Sequence, residues 1–244
     1  MLDFMPYMRV PLCILSILHI YKSMKQPFII LSFPRSGTNL LKTTIRQHDL
    51  VSCHGEIFNI RNRWSKVMVN AETIMRYGFS SSLSGFVLHY HHVIPIYNDL
   101  WSLLKSTDNL KVIDLRRRNM LASYVSLKIS ELNELYVSSV VVNNVVTLTL
   151  NVHSLLQYFK DTDKFIFEHN WSDSMLVNYE YLSSNFQACM DEVYDYLGVE
   201  TCMVKQKICK METRPLHEII NNYDDVVVAI KDSPWCYLIE EFFL

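Results

Sequence analysis

At 244 residues, half of them hydrophobic and a fifth charged, the chain is long enough for a substantial core and too apolar to stay disordered. Its formal charge of −2 excludes a general nucleic-acid binder, so any anion site must be local. The six cysteines, at 13, 53, 189, 202, 209 and 236, form no Cys-x-x-Cys pair and no zinc-like spacing, which points to reduced thiols and a cytoplasmic compartment.

Residues 1–24 read as an N-terminal extension and residues 25–244 as one domain. The apolar run at residues 10–21 contains Pro11 and His19 and falls short of the ~20 residues that span a bilayer. A basic start and a small-residue cleavage site, the marks of a signal peptide, are not clear. A soluble extension or packing segment is the expected role, with a weak membrane anchor or a signal at residues 10–21 as the alternative.

From there short apolar runs alternate with amphipathic segments, which predicts an α/β fold: three layers, a central parallel sheet flanked by helices. "FIILSF" (28–33) is the first strand, with a helix over 38–48. "GFVLHYHHVI" (85–94) is a second strand, followed by a helix over 97–106. "KVIDLR" (111–116) is a third, running into a helix from Met120 to Leu132. "MLVNYEYL" (175–182) is a fourth, and the helix over 185–199 ends at Gly198, a good C-terminal cap. In 138–150, two β-branched runs flank Asn143-Asn144, a pair suited to a hairpin turn.

The turn after the first strand, "PRSGTNLL", carries the chemistry. A strand ending in a tight turn that opens a helix offers free backbone N–H groups and the positive end of the helix dipole. Gly37 lets backbone approach closely, Thr38 and Asn39 add side-chain donors, and Arg35 adds a fixed positive fork. A nucleotide-triphosphate loop would need an earlier glycine and a Gly-Lys-Ser/Thr ending, and both are missing. A phosphatase loop would start with cysteine, and none lies between residues 14 and 52.

"PRSGTNLL" resembles the 5′-phosphosulfate loop of sulfotransferases that use 3′-phosphoadenosine 5′-phosphosulfate (PAPS), in particular the bacterial-type glycan and glycolipid group. The resemblance spans Phe28 to Leu244. It implies that Arg35, Ser36, Gly37, Thr38, Asn39 and Leu40 hold the phosphosulfate. It also implies that Arg118 and Ser126, eight residues apart in "RNMLASYVS", hold the 3′-phosphate of PAPS and of its product PAP. "YEYL" (179–182) is similar to a strand-end motif of the family. Lys210 and Arg214 resemble basic residues near the nucleotide in the closing segment.

The acceptor hydroxyl needs a base. Glu56 in "CHGEIFN" falls where the glycan-type relatives carry a catalytic glutamate, and a carboxyl in a half-buried crevice is expected to rise toward neutrality. His89 in "LHYHH" is the rival, matching the histidine of a Lys-Thr-His strand in cytosolic relatives, although Val87 replaces the lysine. His54 is a third candidate, orienting Glu56 or acting itself. Strand alternation predicts His89 and His91 on one face and His92 on the other. No third ligand completes a zinc set, so no metal is expected. Arg116 and Arg117 are expected to be solvated.

The implied reaction moves a sulfuryl group from PAPS to a hydroxyl of a carbohydrate, glycolipid or small molecule, without nucleic acid. Arg35 would stabilise charge rather than donate a proton. The alternatives are a kinase with a degenerate phosphate loop and a non-catalytic PAP-binding module.

Overall fold

A computed structural model describes residues 26–59, 70–92, 99–133, 146–208 and 212–242. Its sheet contains β1 (Gln26–Ser32), β2 (Ser52–His54), β3 (Leu83–His89), β4 (Lys111–Arg116) and β5 (Met175–Asn178) in the order β2-β3-β1-β4-β5, with every pair parallel. The chain leaves central β1 toward β2 and β3, then crosses to β4 and β5 on the other side. That reversal puts the carboxyl end of β1 at a topological switch point, where open α/β sheets open a ligand crevice.

Successive residues of β1 face opposite layers, and both layers are apolar. Phe28 and Ile30 pack with Leu40, Leu41 and Ile45 of α1 (Thr38–Ile45) and with Met190, Val193 and Leu197 of α7. Helix α7 spans Phe186–Leu197. Ile29 and Leu31 pack instead with Ile74 of α2 (Ala71–Gly78) and with Leu100 and Leu104 of α3 (Leu100–Lys105). All four β1 residues are fully buried. At about 25 cal/mol per Å² such a double-faced strand anchors the domain.

A further core joins α4 (Met120–Asn133), α5 (Val152–Glu168), α8 (Leu216–Ile219) and α9 (Tyr223–Lys231), centred on Leu121, Phe159 and Val226. The Asn151 side chain caps α5 by accepting from the Ser154 N–H at 2.9 Å. Gly198 ends α7 at φ 78°, the left-handed cap read from the sequence.

The predicted second strand stops at His89 and continues as a tight 3-10 turn over Tyr90–His92. The predicted fourth strand is shorter than expected, because Tyr179 opens helix α6 (Tyr179–Ser184) directly after β5. The first half of the expected hairpin, to residue 145, lies outside the described residues. Residues 146–150 make a single parallel bridge, Leu148 to Ile220. The extension 1–24 also lies outside them. Among the described residues Cys53, Cys189, Cys202 and Cys236 are free thiols, and no helix is long and apolar enough to cross a membrane.

Candidate active site

The turn from β1 to α1 departs from ordinary backbone twice. Arg35 takes φ 66° and Gly37 takes φ 90°. For a residue with a side chain the left-handed region costs about 1–2 kcal/mol, so surrounding contacts must hold Arg35 there. They do so through its carbonyl, which accepts from Arg117 Nη1 and from Ser123 Oγ, each at 3.3 Å. No side chain caps α1 at Gly37, which leaves the positive helix end facing the turn.

Gly37 is required by a neighbour as well as by φ. A Cβ there would sit 2.4 Å from Cδ2 of Tyr179. The Tyr179 ring also lies 4.8 Å beneath the Arg117 guanidinium. The next residue, Glu180, accepts from the backbone N–H groups of Arg118 and Asn119 at 3.2 Å each. The "YEYL" segment therefore buttresses the turn after β1 and the turn after β4 at once, a role its sequence did not disclose.

Those two elements meet. Arg35 Nε donates to Ser126 Oγ at 3.0 Å, joining the loop after β1 to the helix after β4. Ser126 accepts in this contact, so its own hydrogen stays available to an anion. Arg118 keeps half its side chain exposed, with Nε 3.9 Å from Glu180. Ser36 and Thr38 are buried in the turn, Leu40 packs into the core beneath it, and Asn39 accepts from Lys42 Nζ at 2.9 Å.

Arg214 is engaged by Glu212 in its own segment at 2.6 and 3.0 Å and by the sequence-distant Val146 carbonyl at 2.9 Å. Lys210 lies outside the described residues. Arg116 pairs with buried Asp114 at 2.9 Å and Arg117 is tied under the loop, with its Nε buried and unpartnered. Neither arginine is the solvated side chain expected; the turn after β4 folds both back onto the protein.

Opposite the loop, β2 ends at His54 and carries Glu56 just beyond it. Glu56 Oε1 lies 3.1 Å from His89 Nε2, and Oε2 lies 3.6 Å from His92 Nε2 and 2.8 Å from the donating Asn59 amide. Both histidines therefore reach one carboxylate. Alternation fails because the backbone stops being a strand at His89, while His91 stacks on His89 at 5.7 Å. His54 packs instead against Tyr77, and its Nε2 is buried and unpartnered.

Burial pushes the Glu56 carboxyl up. The hydrogen bond and charge of His89, the Asn59 amide and nearby His92 outweigh burial and hold it well below the usual carboxylate range. The expectation of a carboxyl raised toward neutrality is thus corrected: its hydrogen-bond donors decide the sign.

Glu56, His89 and His92 each offer a donor atom within 4.8 Å of the others, a set chemically suited to a zinc-class ion. A ligating histidine ordinarily donates its second ring nitrogen to an acceptor, and His92 Nδ1 is buried without a partner.

An all-parallel sheet flanked by helices, with an uncapped helix terminus after its central strand, defines the chain as an α/β protein. The profile of the sulfotransferase domain matches residues 25–214. The chain belongs to the sulfotransferase family and is an enzyme of that family. Nodulation protein H of Rhizobium meliloti strain 1021 is 24% identical over 235 residues, covering 88% of this chain and 95% of the relative. A sulfotransferase from Alicyclobacillus acidocaldarius superposes with a TM-score of 0.46 at 13% identity, over 84% of this chain and 94% of its own. A mouse sulfotransferase complexed with PAP gives 0.46 at 12%, over 92% of each chain.

Proposed function

We propose that this enzyme transfers the sulfuryl group of PAPS to a hydroxyl of a carbohydrate, glycolipid or small alcohol. The observation that supports it most is the Arg35–Ser126 hydrogen bond, which joins the two anion elements into one crevice.

In this reading the N–H groups of residues 36–40, the Thr38 hydroxyl and Arg35 receive the phosphosulfate, and Arg118 with Ser126 receives the 3′-phosphate. Sulfuryl transfer, like phosphoryl transfer, needs in-line placement and positive groups where charge builds, and fixed amides with guanidinium supply both. Glu56 keeps about a third of its side chain exposed, whereas His89 is buried. The carboxylate thus takes the acceptor proton, and His89 orients it. A depressed carboxyl is a weak base in the ground state; it gains driving force as the acceptor oxygen bonds sulfur and its O–H acidifies.

Incubation with radiolabelled PAPS and a panel of oligosaccharides, glycolipids and alcohols tests this. Labelled ester on at least one acceptor is expected. PAP binding with no transfer to any of them would favour a non-catalytic module, and magnesium-dependent transfer from ATP would favour a kinase.

A further inference from the structure

The β1 and β3 strand ends place one more chain of groups behind the crevice. Ser32 and His89 are register partners on adjacent parallel strands. Ser32 Oγ lies 3.0 Å from His89 Nδ1 and 3.1 Å from Thr38 Oγ1, and all three residues are buried. With the 3.1 Å contact from His89 Nε2 to Glu56, an unbroken run of hydrogen bonds joins the acceptor side of the crevice to the phosphosulfate loop.

Resting on the PAPS reading above, we infer that His89 and Ser32 relay a proton through Thr38 to the leaving 5′-phosphate as Glu56 takes one from the acceptor. The ring of His89 has acceptors on both sides: the Glu56 carboxylate at Nε2, and at Nδ1 the Ser32 hydroxyl with the Ser32 carbonyl at 3.3 Å. A carboxylate and a carbonyl only accept, so in the relay His89 enters with hydrogen on both ring nitrogens. The Ser32 hydroxyl then accepts from Nδ1 and donates to Thr38, and Thr38 donates into the loop.

The step balances. The acceptor O–H bond breaks as its oxygen bonds sulfur, and the proton goes to Glu56. The bond from sulfur to the phosphate oxygen breaks, leaving its electron pair on that oxygen. His89 Nδ1 releases its hydrogen to Ser32, Ser32 passes its own to Thr38, and Thr38 passes its own to the leaving oxygen. One proton enters the network, one leaves, and His89 ends neutral beside a protonated Glu56. A relay is useful here because Arg35 is the arginine of the loop in this reading, and a guanidinium does not release a proton.

Ser32 and His89 act through other groups, so the test must read proton movement as well as rate. Three forms are compared: wild type, Ser32→Ala, and His89→Gln, whose amide cannot change its protonation. PAP affinity by calorimetry is expected to stay within about twofold of wild type, since neither residue is placed against the nucleotide. Single-turnover transfer from radiolabelled PAPS to the fastest alcohol of the panel should slow by roughly 10²-fold in both variants. Rates in mixtures of light and heavy water should show more than one proton in flight for wild type and a single one for Ser32→Ala. Nitrogen NMR of wild type with PAP should find hydrogen on both ring nitrogens of His89. Wild-type rate and isotope response in Ser32→Ala, or a neutral His89 ring in the PAP complex, would overturn the relay alone. Failure of wild type to bind PAP or to transfer sulfate would remove the PAPS reading, and the relay with it.

Discussion

Replacing Gly37 with alanine tests the loop at its tightest point. The left-handed φ of 90° costs an L-residue about 1–2 kcal/mol, offset by ~0.4–1 kcal/mol because the unfolded chain loses freedom. The new Cβ meets Tyr179 Cδ2 at 2.4 Å, near the root of a ring already stacked against Arg117, and overpacking of that kind costs about 1–3 kcal/mol. The net loss is about 1–5 kcal/mol. At about 2–4 °C per kcal/mol for chains of this size, Tm should fall by roughly 2–18 °C. Thermal unfolding measures this, and PAP calorimetry on the same samples should show weakened binding. In a Tyr179→Ala background the steric part disappears and only the backbone cost should remain, a coupling that a double-mutant cycle reads directly. A Gly37→Ala protein with unchanged Tm and unchanged PAP affinity would refute the reasoning.

Three more outcomes follow from named contacts. Glu56→Gln should lower turnover by roughly 10²–10⁴-fold in the radiolabel assay while leaving PAP affinity intact. Glu180→Gln removes the carboxylate charge that faces the Arg118 and Asn119 amides, and should destabilise by about 1–2 kcal/mol in urea unfolding while weakening PAP more than adenosine 5′-phosphate. His92 is held below the ordinary histidine range by burial and then by repulsion from His89 and His91. The unfolded chain therefore binds a proton that the folded chain refuses below about pH 6.5, and stability falls on acidification, by about 1.4 kcal/mol near pH 5.5 from this residue alone. His91, lowered in the same way, adds to that slope. Glu56, depressed below its unfolded value, adds a loss only under about pH 4.3. His92→Gln should flatten the slope above pH 5, as read by denaturant midpoints; an unchanged slope would contradict the assignment.

Much of the fold was legible because β1 is a four-residue apolar run buried on both faces, a pattern that only a covered parallel strand requires. Strand β2 was not, since Ser52–His54 has three residues, one of them apolar and buried, and no periodicity to detect. Helix α5 was readable in principle from its Asn151 cap and the spacing of Leu155 and Phe159, but its exposed charges dilute the stripe. The loop residues 35–40 stood out because arginine, glycine and two polar residues in that order are more than a bare turn needs. What the sequence withheld is what tertiary geometry creates: Ser32 behind His89, His92 turned beside it by a 3-10 turn, and Tyr179 filling the space that Gly37 leaves. Arg117 misled for the same reason, since solvation and burial beneath a loop look identical in one dimension.

In the proposed function one crevice, joined at Arg35 and Ser126, grips both phosphates of PAP. Calorimetry of PAP against wild type, Arg35→Ala and Arg118→Ala tests it most directly, with adenosine 5′-phosphate as the control lacking the 3′-phosphate. Micromolar PAP binding is predicted, weakened by either substitution, with the advantage of PAP over the control shrinking chiefly in Arg118→Ala. No PAP binding up to millimolar concentration, or an affinity indifferent to both arginines, would contradict it.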